Sequence, residues 1–400
     1  MEPITLYLIA AVLFVLGLAA TGGAVFGRRR GPRIVLGLSG LLLWSLALAG
    51  CSQATTTATP TATAQPSPLT TASPVVAQTE TATETAPAAS PTTPPSPVET
   101  PTEPVSLPPV PDFPGRIAFH SDRDGDLDIY SMNADGTDVQ RLTDTPGRDF
   151  EPAWSPDGST IVFSSDRDDP TNAQLYLMDA DGSNQRPLMP FSPADYVGAR
   201  WSPDGEWIVF HSNMEVDGLP WFNIYKVRSD GSELTNLTNS VDNSFRPDWS
   251  PDGQRIVFMS ERDGNRELYV MNADGSNPVR LTDNVGDDNQ PRWSPDGSTI
   301  LFESNRDGAN TVLYLMDAPT TNASGPMEET IRLLSFPGFN SQNASWADGS
   351  KLIVFSADRD SEQNQNWDIY MMPADGSEIH RLTAGESLER FPVWTGSTNQ

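Results

Sequence analysis

From about residue 114 onward, short β-branched and aromatic runs are divided by clusters of Asp, Gly, Pro and Ser, the pattern of strands joined by tight turns. One apolar run ends in Phe and recurs at Phe119, Phe163, Phe210, Phe258, Phe302 and Phe355. A second holds an aliphatic residue beside a Tyr, at Tyr130, Tyr176, Tyr225, Tyr269, Tyr314 and Tyr370. A third reads QRLTD at 140, LTNLT at 234, VRLTD at 279 and HRLTA at 380. The fourth ends in Trp: AWSPDG at 153, RWSPDG at 200, DWSPDG at 248, RWSPDG at 292, SWADGS at 345 and VWTGS at 393.

The turn residues set how these runs connect. In SPDG the Pro presets φ at the second turn position and the Gly takes the left-handed conformation, so the Trp run and the next Phe run form a tight hairpin. NADGS at 133, DADGS at 179, RSDGS at 228, NADGS at 272 and PADGS at 374 do the same between the Tyr run and the Leu-Thr run. Four antiparallel strands make one blade, and six such units predict an all-β, six-bladed β-propeller. The first unit begins at Arg116 without a Trp strand, and the chain finishes with a surplus one, FPVW at 391 to 394. That strand is expected to pair beside residues 116 to 119, closing the ring and removing a sheet edge. The recurring Trp, Phe and Tyr read as packing between neighbouring blades.

The rest of the chain is different in kind. Residues 1–50 are apolar and Arg-punctuated: RRRGPR at 28, then IVLGLSGLLLWSLAL, then LAGC ending at Cys51. A basic segment, a short apolar run and small residues before a cysteine form a secretory signal. Leu48, Ala49, Gly50 and Cys51 resemble a bacterial lipobox, which implies lipidation at Cys51 and a membrane anchor. The upstream stretch ITLYLIAAVLFVLGLAATGGAVFG is long enough to span a bilayer. Either it pairs with the second run as a hairpin with the arginines cytoplasmic, or translation begins within it, for instance at Val25; we adopt the second reading, and both export everything after Cys51. Residues 51–113 form a Thr/Pro-rich tract with too few large apolar side chains to fold, a spacer whose extended reach is on the order of 150 Å. The globular domain is then expected over 114–396.

Charge and inventory exclude several functions. The formal net charge is -28 and the only lysines are Lys226 and Lys351, so nucleic acid is not an expected partner. One cysteine, Cys51, leaves no intrachain disulfide and no Cys-based zinc site. His120 and His211 fill the same repeat position two blades apart and His380 belongs to an outer strand, too dispersed for one metal ion. The Ser of WSPDG belongs to a turn with no His base beside it, so no Ser-His-Asp triad is expected and no enzyme is predicted. In DRDGDLD at 122 the carboxylates alternate, but Gly125 is misplaced for an EF-hand loop and no distal Glu follows. No cofactor is expected, a structural Ca²⁺ being the weak alternative.

WSPDG, IVFxS, RDG, LYxM, ADGS and RLT together resemble the WD-like repeats of the TolB propeller family, over roughly residues 115 to 396. The resemblance implies the propeller. It does not imply the Tol partnership, because the family's namesake carries a separate N-terminal α/β domain where this chain has a spacer and lipobox. Similar propellers precede catalytic domains in prolyl-oligopeptidase-like peptidases, but none is expected after Trp394; others resemble oligogalacturonate lyases, whose His-held metal this sequence does not supply.

On such a disc the connections after the Phe and Leu-Thr strands share one face, where loops vary over a fixed scaffold and carry function. Five of these loops repeat an Arg beside an Asp, at Arg123, Arg167, Arg262, Arg306 and Arg359, and are expected to tie adjacent blades through Arg-carboxylate pairs. Unit three departs with Trp221 and Phe222, and unit six extends to Trp367; these aromatics are candidate anchors for a partner. Glu151, Arg200, Arg246, Gln290, Arg292 and Asn343 are expected near the channel mouth as polar contacts. The reading is a monomeric, exported, lipid-anchored binding module for a protein or polymer of the cell envelope, with a carbohydrate-binding propeller as the alternative and a polysaccharide lyase or hydrolase behind it.

Overall fold

The computed structural model describes residues 114–396, apart from 217, 321–324, 336–337 and 360–365. The lipobox, both apolar runs and the Thr/Pro tract lie outside the described residues. Among the described residues no helix is long and apolar enough to cross a membrane.

Six four-stranded antiparallel sheets follow one another around a ring. Blade 2 shows the plan: an inner strand Asp149–Trp154, a second Thr160–Ser165, a third Gln174–Asp179 and a two-residue outer strand Arg186–Pro187. Blade 3 starts at Tyr196–Trp201, blade 4 at Ser244–Trp249, blade 5 at Asp288–Trp293 and blade 6 at Ser341–Ala347. Each inner strand touches the inner strands on both sides, so these six line the axis. In blade 1 the inner strand is the chain's end, Glu389–Thr395, paired antiparallel with Arg116–Ser121: Ile117 faces Trp394 and Ala118 faces Val393. The ring closes as the missing and surplus strands require.

The apolar core lies between blades. Six hydrophobic clusters each draw on two neighbouring blades, from blades 1 and 2 around to blades 6 and 1. The six Phe of the second strands are 0% exposed, and each meets the Tyr of its own blade at 5.6–5.9 Å between centroids. The Trp side chains reach across: Trp201 Nε1 donates to Ala153 O at 3.3 Å and Trp346 Nε1 to Arg292 O at 3.3 Å. The Asp-Gly turns dock between blades too. Gly182 sits at φ 85°, and a Cβ there would meet Leu142 O of the preceding blade at 2.6 Å, so this turn admits glycine alone. In WSPDG the Ser155 hydroxyl donates to Asp157 at 2.6 Å and accepts from Thr160 N–H at 3.0 Å, which explains its recurrence as turn chemistry.

Candidate functional site

The inner strands are not regular. In all six, pairing with the second strand slips by a residue around the third position, a β-bulge. The third-position residues are Glu151, Gly198, Arg246, Gln290, Asn343 and Phe391, all at positive φ between 49° and 69°. For the five that are not glycine this conformation costs about 1 kcal/mol each. Pro152, Pro247, Pro291 and Pro392 follow four of them; proline has no N–H to give the ladder, and at a bulge none is needed. The sequence signal for the bulges was this proline inside an otherwise strand-like run.

The bulges bring side chains of non-adjacent blades together at the axis. Arg246 Nη1 of blade 4 lies 2.5 Å from Glu151 Oε2 of blade 2, passing Gly198, whose missing Cβ leaves the room. The guanidinium also stands 5.0 Å over the Phe391 ring of blade 1. Burial alone would raise the Glu151 carboxyl, but the Arg246 charge, with smaller help from His211 and His120, holds it below the usual carboxylate range. Just behind the bulges, the fifth position of the second strand holds His120, His211 and Glu303, each at most 5% exposed. Glu151 N–H donates to His120 Nδ1 at 3.2 Å, and Asn343 N–H donates to Glu303 Oε1, so these two side chains stitch the bulges of blades 2 and 6 to the preceding blade. Burial pushes His120 down to about 4 and His211 to about 3, and pushes Glu303 up to about 7 against the Asn343 N–H and the arginines nearby. At neutral pH both imidazoles are uncharged.

The six candidate polar residues therefore divide between two ends. Glu151, Arg246, Gln290 and Asn343 occupy the bulges, whereas Arg200 and Arg292, at the fifth position of their strands, open towards the Trp turns and line a hollow of 180 Å³ there. On the opposite face a larger hollow of 480 Å³ spans blades 3 to 5 and reaches Gln342 of blade 6, lined among others by Val197, His211, Phe222, Phe245, Arg246, Gln290 and Glu303. Phe222, Phe245 and His211 form its aromatic wall, with Phe222 and Phe245 centroids 5.0 Å apart. A roomier trough of 710 Å³ on the outer flank of blade 4, near Asp252, Asn272 and Asp274, brings together no comparable set of side chains.

Among the aromatic candidates, Phe222 belongs to this wall and Trp221 beside it is half-buried. Trp367 is 8% exposed, with Arg390 stacked 3.9 Å over its indole, so it covers the scaffold and is not available as a surface anchor. Four exposed apolar side chains on the same face were missed from sequence: Phe191, Leu219, Val241 and Val285, 56%, 50%, 51% and 98% exposed. Leu219 lies in the aromatic loop of blade 3, and Phe191, Val241 and Val285 lie in the connections that lead from blades 2, 3 and 4 into the next blade, where an apolar residue among turn formers was the available signal.

Three of the five Arg-Asp loops, those of Arg123, Arg167 and Arg306, correct the expectation of blade-to-blade pairing. Arg167 reaches Asp149 at 2.8 Å, Arg306 reaches Asp288 at 2.6 Å, and Arg123 pairs with Glu389, in each case the first residue of the inner strand of its own blade. The same guanidinium lies over the buried aromatic pair, 4.7 Å from Tyr176 for Arg167, while the neighbouring Asp168 accepts the Tyr176 hydroxyl. The clamp is within a blade because the loop is too short to leave it. In DRDGDLD the carboxylates diverge: Asp122 accepts Leu388 N–H at 2.7 Å, Asp124 the Tyr130 hydroxyl at 2.5 Å, and Asp128 pairs with Arg141 at 2.5 Å. Among the described residues no three His, Cys, Asp or Glu side chains are grouped as a metal ion would require.

Comparison with known proteins agrees with this geometry. A family model described as PD40, TolB beta propeller domain, matches residues 110–246 and 241–325. A protein TolB homolog of Chlorobium luteolum is 38% identical over 166 residues, 42% of this chain and 37% of the relative, so the chain spans well under half of that protein's length. TolB from Acinetobacter baumannii superposes with a TM-score of 0.59 at 20% identity, covering 73% of this chain and 69% of that one. A putative TolB from Agrobacterium tumefaciens gives 0.54 at 20% identity, covering 71% of this chain and 99% of that one. With six blades in one register, a closing C-terminal strand and a family model matching across the repeats, the chain belongs to the TolB beta-propeller family.

Proposed function

We propose that this protein is a non-catalytic, extracytoplasmic binding module whose loop face at blades 3 to 5 docks a protein of the cell envelope. Cys51 serves as the lipid anchor and residues 51–113 as the spacer. The observation that carries the reading is that the face with the aromatic-walled hollow of Phe222 and Phe245 also carries four exposed apolar side chains in its loops, Phe191, Leu219, Val241 and Val285. Exposed apolar patches with aromatic anchors in a partly desolvated recess are the energetic centre of protein interfaces. The chain's formal net charge of -28 favours a partner with basic residues.

Catalysis finds little support in the same residues. His120 and His211 are buried and uncharged, and Ser155, Ser202, Ser250 and Ser294 donate to the Asp of their own turns at 2.5–2.6 Å. Replacing Trp221 and Phe222 with Ala tests the docking face. Capture of envelope proteins from detergent-solubilised membranes is expected to fall at least ~10-fold, since an anchor pair contributes about 2 kcal/mol or more, with circular dichroism unchanged. Undiminished capture by the folded double variant rejects the reading, and a glycan bound by the parent but not the variant moves the assignment to the carbohydrate alternative.

A further inference from the structure

The other end of the channel concentrates positive charge in a protein whose formal net charge is -28. Arg200 of blade 3 and Arg292 of blade 5 flank Asp248 of blade 4, and all three line the 180 Å³ hollow at the Trp turns. Arg292 is 6% exposed; its Nη1 donates to Pro291 O at 3.0 Å, while its Nε is buried without a partner. Arg200 donates from Nη1 to Ala199 O at 2.7 Å. Both bonds run to the backbone of the residue just before, so neither neutralises charge. Asp248, the one carboxylate among the residues lining the hollow, has Oδ2 engaged by the Trp293 N–H at 2.9 Å. Arg246, by contrast, is already matched by Glu151.

Two guanidiniums against one carboxylate leave this hollow one positive charge in excess. Burial above all, and then the Arg292 charge, push Arg200 down to about 9. A bound anion supplies the compensating charge that water supplies to an exposed guanidinium. Two guanidiniums lining one hollow suit a carboxylate, whose oxygens accept charge-assisted hydrogen bonds from planar donor forks, whereas Asp248 repels a dianion. The Trp rings at the rim, Trp293 and Trp346 among them, limit the space to a molecule of a few heavy atoms.

We propose that the Trp-turn end of the channel is a binding site for a small monocarboxylate, held between Arg200 and Arg292 with Asp248 selecting against doubly charged anions. This site is separate from the docking face and does not depend on it. Calorimetry on the full chain in detergent, with lactate as the probe and chloride at matched ionic strength as the baseline, is expected to show saturable binding. Arg200→Met/Arg292→Met is expected to weaken it at least tenfold, Arg200→Lys at least threefold through loss of the fork, and Asp248→Asn to raise the affinity for inorganic phosphate at least threefold. Circular dichroism checks each fold; if the double variant unfolds, Arg200→Lys and Asp248→Asn decide. Heat no greater than that of chloride, affinity unchanged by Arg200→Lys, or phosphate bound more tightly than lactate by the parent protein each overturn the proposal.

Discussion

Blades 2 and 3 have the same strand lengths and the same bulge, yet they fill one slot with opposite chemistry. In blade 2 the loop after the second strand presents Arg167 to Asp149, an ion pair whose acid is 0% exposed. In blade 3 the matching positions are Met214 and Tyr196, and the Tyr196 hydroxyl meets Met214 Sδ at 3.5 Å. Both partners changed together. That is the expectation for a buried ion pair, whose desolvation cost nearly cancels its attraction, so that an apolar pair of similar volume serves as well while a half-replaced pair does not. The Arg-Asp loop of blade 2 is committed to its own Tyr and inner strand; the loop of blade 3, which has no such clamp, runs out to Leu219, Trp221 and Phe222 on the proposed docking face.

The sharpest way to break the comparison is at blade 1, where the acid of the clamp, Glu389, arrives on the closing strand. Ending the chain before Phe391 removes Phe391, Val393 and Trp394 from the ring, and is expected to cost more than ~5 kcal/mol and to lower the melting temperature steeply. A truncated chain that melts with the parent contradicts a closed ring. Next in size, Arg167→Met leaves Asp149 buried and unpaired, and about 3 kcal/mol should be lost in urea unfolding. Adding Asp149→Tyr to copy blade 3 is expected to restore at least half of that; no recovery means that the two slots are not equivalent.

A smaller effect separates blades 3 and 5, whose second strands carry His211 and Glu303 in the same slot. The His211 pKa is lowered on folding, so stability is full above about 6.5 and declines as pH falls towards 3. The Glu303 pKa is raised, so the native state holds its proton longer than the unfolded chain; stability is full below about 4.5 and declines as pH rises to about 7. Glu303→Gln should therefore gain on the order of 2 kcal/mol relative to the parent between pH 4.5 and 7.5, and His211→Gln should flatten only the acid limb. Unfolding midpoints across pH read both. Parallel curves for the parent and Glu303→Gln rule out a buried, protonated glutamic acid.

Much of the scaffold was legible because each of its devices is local. WSPDG marks its own hairpin, ADGS its own turn, and the Phe and Tyr of one unit stack on each other before any neighbour is considered. Ring closure was legible too, since a missing strand at Arg116 and a spare one at Trp394 leave one economical pairing. The direction of the Arg clamp was not, because the text places Arg167 equally near any carboxylate and only the loop's length in space confines it to Asp149. Trp221 and Trp367 look alike as extra aromatics on long loops, but Arg390 stacks over Trp367, which is buried, while Trp221 stays half-buried.

The sequence by itself determined the number of blades, their strand order and the closing of the ring, because period, turn chemistry and apolar spacing act over a few residues at a time. Only the tertiary structure decided which charges share the axis. Glu151 and Arg246 stand two blades apart and Arg200 and Arg292 likewise, and what separates the pair in contact from the pair lining a hollow is the position along the inner strand, at the left-handed bulge for the first and two residues beyond it for the second.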